Sequence, residues 1–395
     1  MPPGVPWSRP EPFGAWVRLD DATLIAVDHG LAEQLGVAHG AVGVTDGPLE
    51  LHVAVTSRCN AGCEGCYLDA RPDGTEPSFE EIRGRLAAAR EAGASTVAFG
   101  GGEPLLRRDL GRLAEVARGL GLVPVMTTSG IGLTEARARE LGAFAQVNVS
   151  HDGAGEGYAA VRGFAGAGVA ERAIRTLAGA GVAVGVNVVL TRGTFGLLEE
   201  TAARVAGLGA GELQLLRYKP AGRAAGAGYA ERRLSAAQVE RLWGVIAGIV
   251  ARRALRVRID CAMVPLLSSS LLEAVPRAAE ALEALGVFGC EAGRHLGALR
   301  VDGSAAPCSF FSVSDGGALE APAGARRLPA LRERVEAGAL RGYHAAPAEP
   351  CRSCELFSVC RGGCQVVARH ERGGFGPDPE CPRVIAQATS TSDAP

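Results

Sequence analysis

Cysteines dominate the residues of this chain that could do chemistry. Three of them, Cys59, Cys63 and Cys66, form a C-x3-C-x2-C pattern. Thiolates at this spacing, on a loop that contains Gly62 and Gly65, can wrap one small inorganic centre. Structural zinc usually has four protein ligands, whereas three thiolates on a four-iron cluster leave one iron free to bind a substrate or cofactor. The spacing therefore favours an iron–sulfur cluster with an open iron over a zinc loop or three structural thiols.

A second cysteine array follows towards the C-terminus. It reads C-x12-G-x4-C, then C-x2-C-x5-C-x3-C, and ends in a single cysteine. Its members are Cys290, Cys308, Cys351, Cys354, Cys360, Cys364 and Cys381. Cys261 is the one cysteine outside both arrays. Disulfides are rare in reducing compartments, so metal binding is the expected role of so many thiols.

The overall composition is that of a globular protein. The chain has 395 residues, 47% of them hydrophobic, and its charge is 41 − 43 = −2. This balance excludes wholesale disorder and gives no basic signature for nucleic acid. No apolar run approaches the roughly 20 residues that span a bilayer, and the first residues do not read as a secretory signal. We therefore expect a cytoplasmic protein without nucleic-acid or membrane partners.

Predicted strands and helices alternate from Leu51 onwards, which is typical of a parallel sheet. The predicted strands are Leu51–Thr56, Ser95–Phe99, Val123–Thr128, Ala145–Ser150, Val182–Leu190 and Glu212–Tyr218. Ser78-x-x-Glu81 is a capping box that opens the first of the intervening helices. Six repeats are fewer than the eight of a closed barrel. The predicted fold class is therefore α/β, a partial (β/α)6 TIM-like barrel with its catalytic loops at the carboxyl ends of the strands.

The remaining segments surround this predicted barrel. Residues 1–14 read as a loose, proline-rich stretch, and a hairpin covers Trp16 to Val27. Leu266–Leu285 reads as largely helical. The predicted division is an N-terminal hairpin segment (1–48), the barrel (49–230), a helical bridge (231–285), a cysteine-rich domain (286–385) and a frayed tail (386–395).

The barrel segment resembles the radical S-adenosylmethionine (SAM) superfamily from about Leu51 to Arg223. In that family the C-x3-C-x2-C loop binds a [4Fe-4S] cluster whose open iron chelates the methionine amino and carboxylate groups. The reduced cluster cleaves the sulfonium and gives a 5′-deoxyadenosyl radical, which abstracts hydrogen. The resemblance also implies an external electron donor, flavodoxin or ferredoxin.

Several positions match the family's SAM contacts, and two depart from them. The implied contacts are Tyr67, Gly101, Gly102, Glu103, Pro104, Ser129, Ser150, Asp152, Asn187 and Arg217. Gly101 to Pro104 matches the motif that holds the methionine ammonium, and Ser150 and Asp152 match a ribose-contacting Ser-x-Asp-Gly. Gly65 stands where the family usually has an aromatic residue, so Tyr67 is expected to take over the packing near adenine. Thr128-Ser129-Gly130 replaces the usual Thr-Asn-Gly.

The second array resembles the SPASM extension of radical SAM enzymes, and all seven positions match. The resemblance implies two auxiliary [4Fe-4S] clusters; a zinc ribbon is the alternative. By family precedent the distal cluster takes Cys351, Cys354, Cys360 and Cys381, and the proximal cluster takes Cys290, Cys308 and Cys364. Cys261 is expected to be the fourth proximal ligand; a buried core thiol and a hydrogen-atom donor are the alternatives.

The leading functional hypothesis is modification of a ribosomally synthesised precursor peptide, by a cross-link, a thioether or a related C–H functionalisation. The alternatives are dehydrogenation or epimerisation of a small metabolite, a sulfatase-type maturase, and a non-catalytic iron–sulfur electron carrier. The N-terminal hairpin could capture an extended peptide at a strand edge. It could equally be a structural cap on the open barrel.

Overall fold

The computed structural model describes residues 7–20, 23–40, 48–226, 228–311 and 338–392. Within these ranges the chain forms a small antiparallel sheet and a large, mostly parallel one. No helix of the described ranges is long and apolar enough to cross a membrane.

The small N-terminal sheet has three strands, β1 (Trp7–Glu11), β2 (Gly14–Arg18) and β3 (Leu24–Asp28), and is followed by helix α1 (His29–Gln34). The predicted hairpin is confirmed as the β2–β3 pair, although the turn residues 21–22 lie outside the described residues. The prediction of a loose stretch over 1–14 is wrong for Trp7–Glu11, which pairs with β2. Pro10 is tolerated there because β1 is an edge strand, where one missing backbone N–H costs no ladder bond.

The small sheet is fastened to the C-terminal half of the chain. The rings of Phe13 and Phe288 lie 5.8 Å apart between centroids. The imidazole of His295 lies between two carboxylates, 3.2 Å from Glu11 and 2.5 Å from Glu291. These contacts support the reading of the sheet as a structural cap.

The large sheet has the strand order β10-β9-β8-β7-β6-β5-β4-β11-β12. Its strands are β4 (Glu50–Thr56), β5 (Thr96–Gly101), β6 (Val123–Thr128), β7 (Gln146–Ser150), β8 (Val184–Leu190), β9 (Glu212–Arg217), β10 (Arg256–Ile259), β11 (Leu296–Leu299) and β12 (Ala305–Ala306). The six predicted strands are confirmed as β4 to β9. The parallel run is longer than six because β10 adds to β9 and β11 adds to β4. The cysteine-rich segment is thus joined to the first barrel strand.

The large sheet curls. Arg258 on β10 approaches Glu50 on β4 to 3.7 Å although five strands lie between them. Burial opposes the charge on Glu50, but a hydrogen bond from His52 and the charges of His52 and Arg258 lower its pKa to about 2. An ionised carboxylate therefore closes the bottom of the partial barrel, and this curl directs the carboxyl ends of the strands towards one mouth.

Helices cover the outer face of the sheet. They are α2 (Phe79–Glu91), α3 (Leu110–Gly119), α4 (Glu135–Glu140), α5 (Gly157–Arg162), α6 (Ala167–Gly179), α7 (Leu198–Gly207), α8 (Tyr229–Arg232), α9 (Ala236–Ala251), α10 (Ser268–Ala274), α11 (Ala278–Ala284), α12 (Gly338–Ala345), α13 (Phe357–Cys360), α14 (Gln365–Arg372) and α15 (Pro382–Ser392). Their apolar faces pack on strand residues such as Val53, Val97 and Val186, which are fully buried. The Ser78–Glu81 capping box is present at the start of α2.

One further prediction is confirmed and one needs correction. Leu266–Leu285 is largely helical, and it contains two helices, α10 and α11, because Pro276 cannot continue the first one. Residues 386–392 belong to helix α15 instead of a frayed tail, and only residues 393–395 lie outside the described residues. The N-terminal end of α15 lies next to Cys381, so this helix follows directly from the last cysteine.

Candidate functional site

The first cysteine loop leaves β4 at the mouth of the barrel and is pinned at both ends. The backbone N–H of Cys59 donates to the carbonyl of Arg71 at 2.8 Å. Arg223 holds the other end: its amide donates to the carbonyl of Cys66 at 2.8 Å, and its guanidinium donates to the carbonyl of Cys63 at 2.9 Å. Burial, with the nearby charges of Glu103 and the other two thiols, raises the pKa of Cys59. The structure therefore brings the three thiols together beside Glu103.

Gly101 and Gly102 lie directly beneath this loop. A Cβ on Gly101 would come within 2.1 Å of the carbonyl oxygen of Thr56, and one on Gly102 within 2.1 Å of that of Arg58. The amide of Gly102 donates to the Thr56 carbonyl at 2.7 Å. Both positions thus require glycine because the chain at the start of the cysteine loop packs directly against them. Close approach of a ligand is a second reason for glycine at these positions.

Glu103 is buried and its carboxylate is held by four donors. Oε1 accepts from the hydroxyl of Thr128 at 2.6 Å and from the amide of Leu105 at 3.0 Å. Oε2 accepts from the amide and the hydroxyl of Ser129, at 2.8 and 2.5 Å. Pro104 opens a short 3-10 turn that fixes the following backbone. The substitution of Ser129 for the family's asparagine therefore places a hydroxyl on the glutamate.

Ser150, the last residue of β7, is paired with Asn187 in the middle of β8, and both are buried. The amide nitrogen of Asn187 donates to Thr127 at 3.4 Å, whereas its buried Oδ1 has no hydrogen-bond partner. An unpaired buried acceptor at a barrel mouth is the feature expected where a ligand supplies the missing donor.

Asp152 is fully buried and holds an arginine that the sequence analysis did not identify. One carboxylate oxygen of Asp152 accepts from the amide of Val189 at 3.0 Å, and the other accepts from Nε of Arg162 at 2.5 Å. The guanidinium of Arg162 in turn donates to Sγ of Cys63 at 3.4 Å. Burial opposes the charge on Arg162, but Asp152 and Cys63 outweigh it and raise its pKa. Asp152 therefore acts on the first cysteine loop through Arg162.

Tyr67 links the two cysteine arrays. Its ring stacks on Phe310, with 4.6 Å between centroids, and Nζ of Lys219 lies 4.2 Å from the same Phe310 ring. Burial and the thiols of Cys66 and Cys308 raise the pKa of Tyr67. At Gly65 a Cβ would lie 3.1 Å from the carbonyl oxygen of Val161, so a larger residue there would need a small shift of that carbonyl.

Four C-terminal thiols lie close enough to one another to interact electrostatically. Burial and the charges of Cys364 and Cys308 raise the pKa of Cys290, and burial raises the pKa of Cys308 to about 12. Cys261 interacts with Cys290 in the same way. We call Cys261, Cys290, Cys308 and Cys364 the proximal set.

Backbone N–H groups point at these sulfurs. The thiol of Cys290 accepts from Ala292 and Gln365, and that of Cys261 accepts from Glu291. Hydrogen bonds of this kind stabilise thiolate ligands of iron–sulfur clusters.

The other four C-terminal cysteines line one cavity. Cys351, Cys354, Cys360 and Cys381, the distal set, share its wall with apolar residues such as Leu356 and Val384. The hydroxyl of Ser268 lies 3.4 Å from Sγ of Cys381. Within the described residues no three His, Cys, Asp or Glu side chains are grouped closely enough to hold a single metal ion.

Arg217 lies apart from the first cysteine loop. Its guanidinium donates to both oxygens of Asp378 at 2.6 and 2.8 Å, and lies 3.0 Å from Glu380. Both carboxylates are buried with it, and they hold the pKa of Arg217 above its usual value although burial opposes the charge. Its side chain is thus engaged with the C-terminal cysteine segment, and the contact with SAM stays a prediction.

Comparisons with known proteins agree with this architecture. The profile of the radical SAM superfamily matches residues 53–205. Mycofactocin maturase MftC from Mycobacterium tuberculosis is 30% identical over 354 residues, which is 85% of this chain and 83% of the relative.

Two solved structures share the fold. SuiB from Streptococcus suis, bound to precursor peptide SuiA, matches with a TM-score of 0.72 at 16% identity, over 95% of this chain and 98% of SuiB. The structure of anSMEcpe with bound AdoMet and Cp18Cys peptide matches with a TM-score of 0.60 at 19% identity, over 87% and 99% of the two chains. The family profile and the maturase relative show that this chain belongs to the radical SAM superfamily and is an enzyme that uses a [4Fe-4S] cluster and SAM.

Proposed function

We propose that this radical SAM enzyme modifies a ribosomally synthesised precursor peptide at a C–H bond. The observation that carries the proposal is the match to mycofactocin maturase MftC over 85% of the chain, because it extends far beyond the superfamily barrel. Likeness to SuiB, whose structure contains a precursor peptide, supports the same substrate class through the shared fold.

Cys59, Cys63 and Cys66 are the proposed ligands of the catalytic cluster. Their fit rests on two features: the thiols share one loop, and Arg162 donates to Sγ of Cys63, which suits a thiolate ligand. When bound and reduced, the cluster supplies the electron that cleaves SAM to the hydrogen-abstracting radical. The chain's own contribution is to hold the three sulfurs and to leave the fourth direction open beside Glu103.

Glu103 is the proposed partner of the methionine ammonium. Its four hydrogen bonds fix the carboxyl group in place, and a carboxylate forms a strong charge-assisted hydrogen bond with an ammonium. Asn187 offers its unpaired Oδ1, and Ser150 lies beside it, so both are proposed to contact the nucleoside. Gly101, Gly102 and Pro104 shape the turn that presents Glu103.

The proximal and distal sets are the proposed ligands of two auxiliary clusters. Four thiols in each set satisfy the usual count of cysteine ligands for a cubane. The N–H groups aimed at the proximal sulfurs and the shared cavity of the distal thiols support this assignment. We place the proximal cluster nearer to the catalytic loop than the distal one, because Tyr67 interacts with both Cys66 and Cys308. Flavodoxin or ferredoxin is the proposed electron donor.

The direct test uses the reconstituted protein under anaerobic conditions with SAM, dithionite and the short peptides encoded beside its gene. We expect 5′-deoxyadenosine together with a change in the mass of one peptide, both followed by mass spectrometry. The Cys59→Ala, Cys63→Ala, Cys66→Ala triple variant is the control, because it removes the proposed catalytic ligands. If SAM is cleaved and every such peptide keeps its mass, the peptide assignment is wrong.

A further inference from the structure

The guanidinium of Arg217 contacts two chain segments, and each of them carries a cysteine. It donates to the carbonyl of Ala262, the residue after Cys261, at 3.0 Å. It forms the two-pronged pair with Asp378, and it reaches Glu380, the residue before Cys381. Arg217 is the last residue of β9, so these contacts tie the cysteine segments to a barrel strand.

Asp378 extends this network to a third cysteine. The Oδ2 atom that accepts from Arg217 also accepts from the amide of Cys364, at 2.8 Å. Its Oδ1 accepts from the amide of Glu380 at 3.0 Å, which holds the turn before Cys381. One carboxylate therefore fixes the backbone of Cys364, from the proximal set, and the approach to Cys381, from the distal set.

The approach of Asp378 to the Cys364 segment is close. A Cβ on Gly363 would come within 2.4 Å of the Asp378 side chain, and Gly363 has a positive φ of 84°. Arg217 and Asp378 are both nearly fully buried. Because a buried charge without its partner is strongly destabilising, the ion pair and its geometry must be kept together.

We infer that Arg217 is a positioning residue for both auxiliary clusters, acting through Asp378 and Glu380 to fix Cys261, Cys364 and Cys381 relative to β9. The inference rests on the proposal that the proximal and distal sets hold clusters. Lysine cannot replace arginine here, since one ammonium cannot form the two-pronged pair with Asp378 while also reaching Ala262 and Glu380.

The pair also places two opposite charges next to the proximal thiols. Arg217 and Asp378 both act electrostatically on Cys364, with opposite signs. Charge and hydrogen bonding around the sulfurs set the reduction potential of an iron–sulfur cluster. Removing the negative member should therefore make the proximal cluster easier to reduce, which a purely structural role would not do.

The test compares wild type, Arg217→Lys and Asp378→Asn after anaerobic reconstitution, by iron content per folded chain, Mössbauer spectra and redox titration. We expect Arg217→Lys to lose at least half of both auxiliary-cluster signals and to keep the catalytic-cluster signal. We expect Asp378→Asn to shift the proximal potential to a more positive value. If Asp378→Asn does not fold, Glu380→Gln replaces it, and the signals of both auxiliary clusters are then measured in Glu380→Gln.

Arg107→Lys is the matched control. Arg107 is equally buried and forms a two-pronged pair with Asp109, but it contacts neither thiol set. Full auxiliary signals in Arg217→Lys, loss of only one of the two, an unchanged proximal potential in Asp378→Asn, or an equal loss in Arg107→Lys would each overturn the inference. A wild-type protein without auxiliary clusters would instead refute the proposed function on which the inference rests.

Discussion

The carboxylate of Glu103 accepts two hydrogen bonds from Ser129, whose backbone amide and hydroxyl both donate to the same oxygen, Oε2. Ser129 follows β6 and Glu103 follows β5, so two neighbouring strands cooperate to aim one carboxylate. A carboxylate fixed in this way is ready for a cation before the cation arrives. It loses little freedom on binding, and this is the physical basis for its proposed role.

Glu103→Gln should therefore weaken SAM binding roughly tenfold or more, because a charge-assisted hydrogen bond contributes on the order of 1.5–3 kcal/mol. Equilibrium dialysis with labelled SAM measures the affinity. Glu135→Gln serves as the control, since Glu135 is exposed on α4 and pairs only with Arg139 among the ion pairs of the described residues. Equal affinities of wild type and Glu103→Gln would reassign Glu103 to a structural turn.

The three proposed clusters contain about twelve irons if each is a four-iron cubane. Alanine at Cys59, Cys63 and Cys66 should abolish 5′-deoxyadenosine formation and leave about eight irons bound. Chemical iron assay and chromatography of the nucleoside products measure both quantities. Alanine at Cys351, Cys354 and Cys360 is the mirror control and should keep the catalytic cluster. Retained SAM cleavage in the first variant, or a wild-type content near four irons, would contradict the assignment.

Cys261 is predicted to be the fourth proximal ligand. It lies after β10, where it interacts with Cys290 and accepts an N–H from Glu291. Cys261→Ala should change the Mössbauer signal of the proximal cluster and leave the distal signal as in wild type. A spectrum identical to wild type would show that Cys261 is only a buried thiol.

Docking of the N-terminal sheet should depend on pH through His295. Burial disfavours the imidazolium, but hydrogen bonds to Glu11 and Glu291 outweigh this and raise the pKa of His295 above 6.5. Because its pKa is raised in the folded state, protonated His295 stabilises the docked sheet fully below pH 6.5. This stabilisation is lost as the pH rises through the pKa of His295 in the folded protein. Glu11 has a lowered pKa, so its contribution is lost instead as the pH falls below 4.5.

We therefore expect lower protection of the amides of β1 (Trp7–Glu11), after correction for the base-catalysed rise of intrinsic exchange, above the folded pKa of His295 than at pH 6. Hydrogen exchange followed by mass spectrometry measures this, with β8 (Val184–Leu190) in the barrel as the internal reference. His295→Gln should remove the pH dependence. The same loss of protection in that variant would show that another group is responsible.

The strands and helices of the barrel could be predicted because the sequence signal of each element lies within that element. The Ser78–Glu81 capping box and the apolar strand Val184–Leu190 each report on their own backbone, and both are present. The edge strand Trp7–Glu11 was missed because Pro10 is compatible only with an edge, which a local pattern does not reveal. The strand β11 was harder still, since its parallel partner β4 is distant in sequence.

Some residues of the candidate site could likewise be predicted from the sequence, and others could not. The cysteine spacings were recognisable in the sequence, and the division of the thiols among three clusters stays a prediction. Arg162 gives no sequence signal, because a basic residue at the end of a helix is common. The partners Arg217 and Asp378 are 161 residues apart, so only the folded chain shows that the arginine belongs to the C-terminal cysteine network.

The central claim is that this enzyme removes a hydrogen atom from a peptide. The most direct measurement is deuterium transfer from a precursor peptide, encoded beside the gene and synthesised with deuterated side chains, into 5′-deoxyadenosine. The account predicts deuterium in the nucleoside and a changed peptide mass with wild type, and neither with the Cys59, Cys63, Cys66 alanine variant. If SAM is cleaved in the presence of the fully labelled peptide and the 5′-deoxyadenosine contains no deuterium, the claim is contradicted.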